Sequence, residues 1–131
     1  PTTFSLDLVL RACPDIREYA TRGIICWRDL IDTTRGVAAF LGISDSAYQD
    51  ASMFMGRERV SALIAWILQR GSEIKSAGGY MRTLTCKIRA GEIDVVQLLF
   101  GNLDNENTQM LRSDNAIVRR RGLNIGQTDL M

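Results

Sequence analysis

The run Ala62-Leu63-Ile64-Ala65-Trp66-Ile67-Leu68 constrains this chain more than any other feature, because all seven residues are apolar. In a chain of 131 residues such a run is either a central core helix or a buried strand. The flanks favour the helix: RERVSAL and LQR are built from helix formers, and no β-branched run dominates. The pattern predicts a helix over about Glu58–Gln69, with Val60, Leu63, Ile64, Ile67 and Leu68 as its stripe and Ala62 and Trp66 widening it. A hinge at Gly71, Ser72 and Ser76 follows. Beyond Gly78-Gly79, the residues Tyr80, Met81, Leu84 and Ile88 recur at helical spacing up to Gly91. The other segments are placed by how they would cover the first helix.

Residues 3–12 place Phe4, Leu8 and Val9 at helical spacing, although Phe4, Leu6, Leu8 and Leu10 also fit a strand; Pro14 close behind favours a short helix. CPDIREYATRG predicts a helical turn begun by Pro14 and closed by Gly23, with Ile16 and Tyr19 pointing inward. From Trp27 to Leu41 a second clear helix turns Trp27, Leu30, Ile31, Thr34, Val37, Ala38 and Leu41 to one side. Gly36 inside it either permits close approach by a neighbour or is tolerated, and Gly42 fits a C-cap. Ser44 is placed to cap a short helix that faces Ala47, Tyr48, Ala51 and Phe54 or Met55 inward and stops at Gly56. EIDVVQLLFG predicts a last short helix capped by Asp94, with Val95, Leu98 and Leu99 inward. The expected fold is therefore all-α, a compact bundle of five or six helices over residues 1–101. An irregular tail, an extended arm or a pair of short strands around Ala116–Val118 and Leu123–Ile125 is expected over 102–131.

Composition removes several classes of function. At 46% apolar and 24% charged residues the chain reads as an ordinary globular domain. No apolar run approaches about 18 residues and no secretory signal is present, so membrane and export readings lack support and a cytoplasmic location is expected. Histidine is absent, which removes imidazole acid–base chemistry, Ser-His-Asp triads and zinc–histidine sites. Cys13, Cys26 and Cys86 are too few and too irregularly spaced for a disulfide framework, and read as free thiols acting as small hydrophobes. Asp29 and Asp32 share a helix face, but Arg28 and Arg35 lie beside them and they look like solvated helix charges. Gly78-Gly79 lacks the frame of a phosphate loop. The expectation is a non-enzyme with no cofactor and no metal.

A net charge of +1 selects no partner by itself, but its distribution is informative. Within Arg70–Gly91 five basic residues face Glu73 alone. That excess suits a phosphate backbone, and it equally suits a solvated helix face. Lys75, Arg82 and Arg89 are seven apart and share a side if the helix begins near Ser76; Lys87 lies off that line. These four are the candidate nucleic-acid contacts, mainly to phosphates. The run Arg119-Arg120-Arg121 is a secondary candidate on the tail. A short helix, Gly56 and a longer helix superficially resemble a helix-turn-helix, yet the second helix is too apolar to lie in a groove.

Three blocks carry a family resemblance: ACPDIREYA, GIICWRDLIDTTRGVAAFLGIS and AGGYMRTLTCKIRAGEI. Together they resemble the C-terminal region of the plasmid replication initiator RepC of repABC-type alphaproteobacterial plasmids, over about residues 12–100. Cys86 stands where that family often has a basic residue and Ile88 where it often has alanine. These departures put a basic contact at position 86 in doubt. The resemblance implies an origin-binding initiator whose winged-helix-like DNA-binding part precedes this chain, in keeping with a start at Pro1. It implies a non-catalytic domain that supports contact with plasmid origin DNA or initiator assembly. The alternative is a module that contacts replication proteins or another initiator copy, with possible self-association, and never touches DNA.

Overall fold

The computed structural model of the chain describes residues 4–103. Among them are six α-helices, two 3₁₀ segments and no strand. In order these are α1 (Leu6–Ala12), a 3₁₀ turn (Pro14–Tyr19), α2 (Trp27–Phe40), α3 (Asp45–Met55), α4 (Arg57–Arg70), a 3₁₀ turn (Gly71–Glu73), α5 (Ala77–Arg89) and α6 (95–103). The chain divides into two units, Pro1–Phe100 and Gly101–Met131, and the helical bundle belongs to the first. α6 runs past Asn102, where the tail was expected to begin. The rest of the expected tail, with its two short strands and Arg119, Arg120 and Arg121, lies outside the described residues.

α4 is the axis of the bundle. Every residue from Val60 to Leu68 is buried, as the apolar run requires, and α1, α2, α3, α5 and both 3₁₀ turns pack against it. Burying each of its Leu and Ile side chains contributes roughly 1.5–3 kcal/mol. An element enclosed on all sides cannot enter a DNA groove, so the resemblance to a helix-turn-helix ends with its connectivity. One polar residue interrupts the run. The Ser61 hydroxyl is fully buried and has no hydrogen-bond partner among the described residues. A buried, unsatisfied hydroxyl costs about 1–3 kcal/mol, and alanine is the better helix former. Ser61→Ala is therefore expected to raise the unfolding free energy by about 1 kcal/mol, read as a higher urea midpoint at unchanged slope. An unchanged or lower midpoint would show that the hydroxyl is satisfied.

The other helices end where local chemistry ends them. Ser5, Ser44 and Ser76 cap α1, α3 and α5, each hydroxyl accepting a backbone N–H three residues on. α2 stops in a Schellman turn: the Gly42 N–H donates to Ala39 O and the Ile43 N–H to Ala38 O, with Gly42 at φ +82° and Ile43 buried beneath it. Gly91 ends α5 in the same way. Gly56, at φ +91° and ψ 159°, lies in a region essentially restricted to glycine and redirects the chain from α3 into α4. α6 opens behind Asp94, whose N–H donates to Gln97 Oε1 at 3.1 Å, the reciprocal bond of a capping box. At the start of α2 the Ile25 N–H donates to Asp29 Oδ2 at 3.0 Å and holds that carboxyl below its usual range. Its folded pKa being depressed, this contribution is present at neutral pH and lost as pH falls through that value.

Two local expectations need correction, and one left open is decided. Ile16 is fully buried, but Tyr19 is 46% exposed. Three residues of 3₁₀ carry Tyr19 about 6 Å further along the same face, past the core, where its ring meets Phe40 at 6.2 Å. Of the cysteines only Cys13 is buried; Cys26 and Cys86 are exposed. A Cβ on Gly36 would meet nothing within 4 Å, so that glycine is tolerated rather than required. The close approach occurs at Gly78 instead, where a Cβ would lie 3.1 Å from the Gly42 carbonyl oxygen. The first turn of α5 therefore rests directly on the α2–α3 corner.

Candidate nucleic-acid interface

Gly78, the Ser76 cap and an apolar stripe fix α5 in place. Met81, Leu84 and Thr85 are buried, and the Thr85 hydroxyl is satisfied by donating to Met81 O at 2.8 Å. Arg82 and Arg89 are exposed on one flank of this stripe and Lys87 is exposed on the other. Because α5 begins at Ala77 behind the Ser76 cap, Arg82 and Arg89 fall on one side, two helical turns apart, or about 10.5 Å along the axis.

Arg82 and Arg89 both border a groove of about 380 Å³ between α3 and α5, together with Ser46, Asp50 and Cys86. Arg82 Nη2 donates to Ser44 Oγ over a long 3.4 Å, and the same hydroxyl caps α3 by accepting from the Ala47 N–H. Arg89 Nη2 lies 3.5 Å from Asp50 Oδ2, and its guanidinium sits 4.8 Å from the centroid of the Phe54 ring. The Arg89–Asp50 side chains are 46% and 65% exposed, so this ion pair contributes roughly 0–1 kcal/mol. What it supplies is orientation: stacking and one carboxylate contact hold the guanidinium, which can donate five hydrogen bonds.

Lys75 stands elsewhere, beside a second depression of about 420 Å³ lined by Arg70, Glu73, Tyr80 and Thr83. Lys87 is exposed on another side of α5. Neither lysine has a polar partner among the described residues. The structure thus brings Arg82 and Arg89 together and leaves Lys75 and Lys87 apart from them. It also adds Arg70, which stacks 4.7 Å over Trp66 and pairs with Glu73 at 3.8 Å on the edge of the Lys75 depression. The spacing Trp66–Arg70 is a readable signal for that stack, since residues four apart share a helix side. Among the described residues no cluster of three His, Cys, Asp or Glu could hold a metal ion. No described helix is long and apolar enough to cross a membrane.

The family model for the replication protein C C-terminal region matches residues 5–105. The chain belongs to that family. It is 48% identical over 90 residues to a candidate replication protein C of Sinorhizobium fredii (strain NBRC 101917 / NGR234), covering 68% of this chain and 22% of that protein. A second candidate replication protein C, from Rhizobium rhizogenes, is 39% identical over 110 residues, covering 83% of this chain and 27% of that protein. The chain thus spans about a quarter of the length of these relatives. No solved structure matches it.

Proposed function

We propose that this chain is the C-terminal domain of a cytoplasmic plasmid replication initiator and supports origin DNA binding by phosphate contacts from Arg82, Arg89, Lys75 and Lys87. The observation that carries the reading is the pair Arg82 and Arg89, held two turns apart along the α3–α5 groove with donors left over. Lys75 and Lys87 are exposed apart from that pair and add positive charge to the same domain. Contacts of this kind position a protein on a duplex without reading its sequence, which suits a domain that accompanies a separate DNA-reading part. Contact with replication proteins or a second initiator copy is the other reading, favoured by the exposed rings of Tyr19 and Phe40.

Asp50 gives a test with a distinctive sign. A phosphate near Arg89 would also lie near the Asp50 carboxylate, which repels it. Asp50→Asn is expected to tighten binding to a plasmid-origin duplex and to a random duplex alike, by several-fold at low salt, while costing at most about 1 kcal/mol of stability. Fluorescence anisotropy of both labelled duplexes measures this. Unchanged or weaker binding in Asp50→Asn would remove Arg89 from the interface and confine it to holding α3 against α5.

A further inference from the structure

Away from α5, a groove of about 340 Å³ opens between the Pro14–Tyr19 turn and the C-terminal ends of α2 and α4. Leu41, Ile67 and Leu68 line it together with the rings of Tyr19 and Phe40. Phe40 is 73% exposed and Tyr19 46%, with ring centroids 6.2 Å apart. Two aromatic side chains left this open beside nearly buried aliphatic ones form an unpartnered apolar surface.

The charge along one edge narrows what can cover that surface. Asp15 and Glu18 border the groove and are three residues apart in a 3₁₀ segment, where side chains at that spacing eclipse. Both carboxylates therefore stand on the groove side. Gln69 Oε1 accepts the Asp15 N–H at 2.9 Å and ties this edge to α4. Asp7, Asp50 and Glu73 each have an arginine partner, whereas among the described residues Asp15 and Glu18 have none. An uncompensated acidic edge beside open aromatic rings complements a ligand that is apolar on one face and basic on the adjoining flank.

We infer that this groove receives an amphipathic helix of a partner protein, with apolar anchors over Tyr19, Phe40 and Leu41 and Lys or Arg along the flank facing Asp15 and Glu18. Recognition of this kind uses anchors at steps of three and four residues for affinity and the flanking charges for orientation. The inference does not depend on α5, so loss of DNA binding leaves it standing and the two are measured separately.

The probe is a fluorescein-labelled designed peptide of about five helical turns, roughly 18 residues, with leucines on one face and lysines on the adjoining flank. It is titrated with the 131-residue chain by anisotropy, alongside the same peptide with glutamate for lysine and a scrambled version. The lysine peptide is expected to bind saturably and more tightly than both controls. Phe40→Ser should weaken it at least tenfold with an unchanged circular dichroism spectrum. Asp15→Asn with Glu18→Gln should weaken it several-fold and flatten its salt dependence. Failure of the lysine peptide to bind, equal binding of the glutamate or scrambled peptide, or indifference to Phe40→Ser would each overturn the inference. So would sedimentation showing a dimer of the chain that Phe40→Ser dissolves, because the occupant would then be a second copy.

Discussion

Trp66→Ala is expected to lower the unfolding free energy by about 3–5 kcal/mol, the largest effect of any single substitution considered for this domain. The indole is 3% exposed, stacks on Tyr80 with centroids 5.9 Å apart, lies under the Arg70 guanidinium, and donates its N–H to Leu98 O at 3.0 Å. Truncation opens a cavity on the bundle axis, forfeits an aromatic pair worth about 0.5–1.5 kcal/mol beyond its area, and leaves the Leu98 carbonyl without its donor. Against a total stability of about 5–15 kcal/mol for a domain of this size, the variant would be marginal. Trp66→Phe separates the contributions. It keeps most of the ring but not the N–H, and is expected to cost about 1–3 kcal/mol. Urea unfolding with unchanged slope measures both. A cost below about 1 kcal/mol for Trp66→Ala would mean that α4 is not the axis on which α5 and α6 are hung.

The second large effect concerns binding. Neutralising Lys75, Arg82, Lys87 and Arg89 together to alanine removes four positive charges from one helix and its approach. Each phosphate contact contributes about 0.9 to the slope of log K against log salt, so four contacts give a slope near −3.6. Binding by the unaltered chain should then weaken by about two orders of magnitude between roughly 50 and 200 mM salt, and the fourfold variant should lose most of that dependence. Stability is not the confounding factor. All four side chains are exposed, alanine is a good helix former, and the exposed Arg89–Asp50 pair contributes roughly 0–1 kcal/mol.

Much of this fold could be read from the chain because its signals are local. The apolar run sets α4; Ser44, Ser76, Gly42, Gly56 and Gly91 set the helix ends, each by chemistry within a few residues of the break. Features that join distant segments were not legible. Arg89 finds Asp50 and Phe54, which share a side of α3 by four-residue spacing, but nothing in that spacing says α5 crosses them. Gly78 reads only as part of a glycine pair ahead of a helical stripe until the Gly42 carbonyl is seen beside it. Tyr19 was expected inside because it follows Ile16 at helical spacing; the short 3₁₀ turn carries it past the core and onto the same edge as Phe40. Periodicity reports which side a residue faces and not whether another element covers that side, so α5's basic side was legible while the Tyr19–Phe40 groove was not.

The salt dependence of DNA binding tests the central claim most directly. Labelled plasmid-origin and random duplexes are titrated with the chain and with its Lys75, Arg82, Lys87, Arg89 alanine variant, from about 50 to 200 mM salt. Phosphate contact from α5 predicts a steep slope of about −3 to −4 for the unaltered chain on both duplexes, and a much shallower one for the variant. Absence of binding to either duplex at the lowest salt, or an equal slope in the variant, would contradict it.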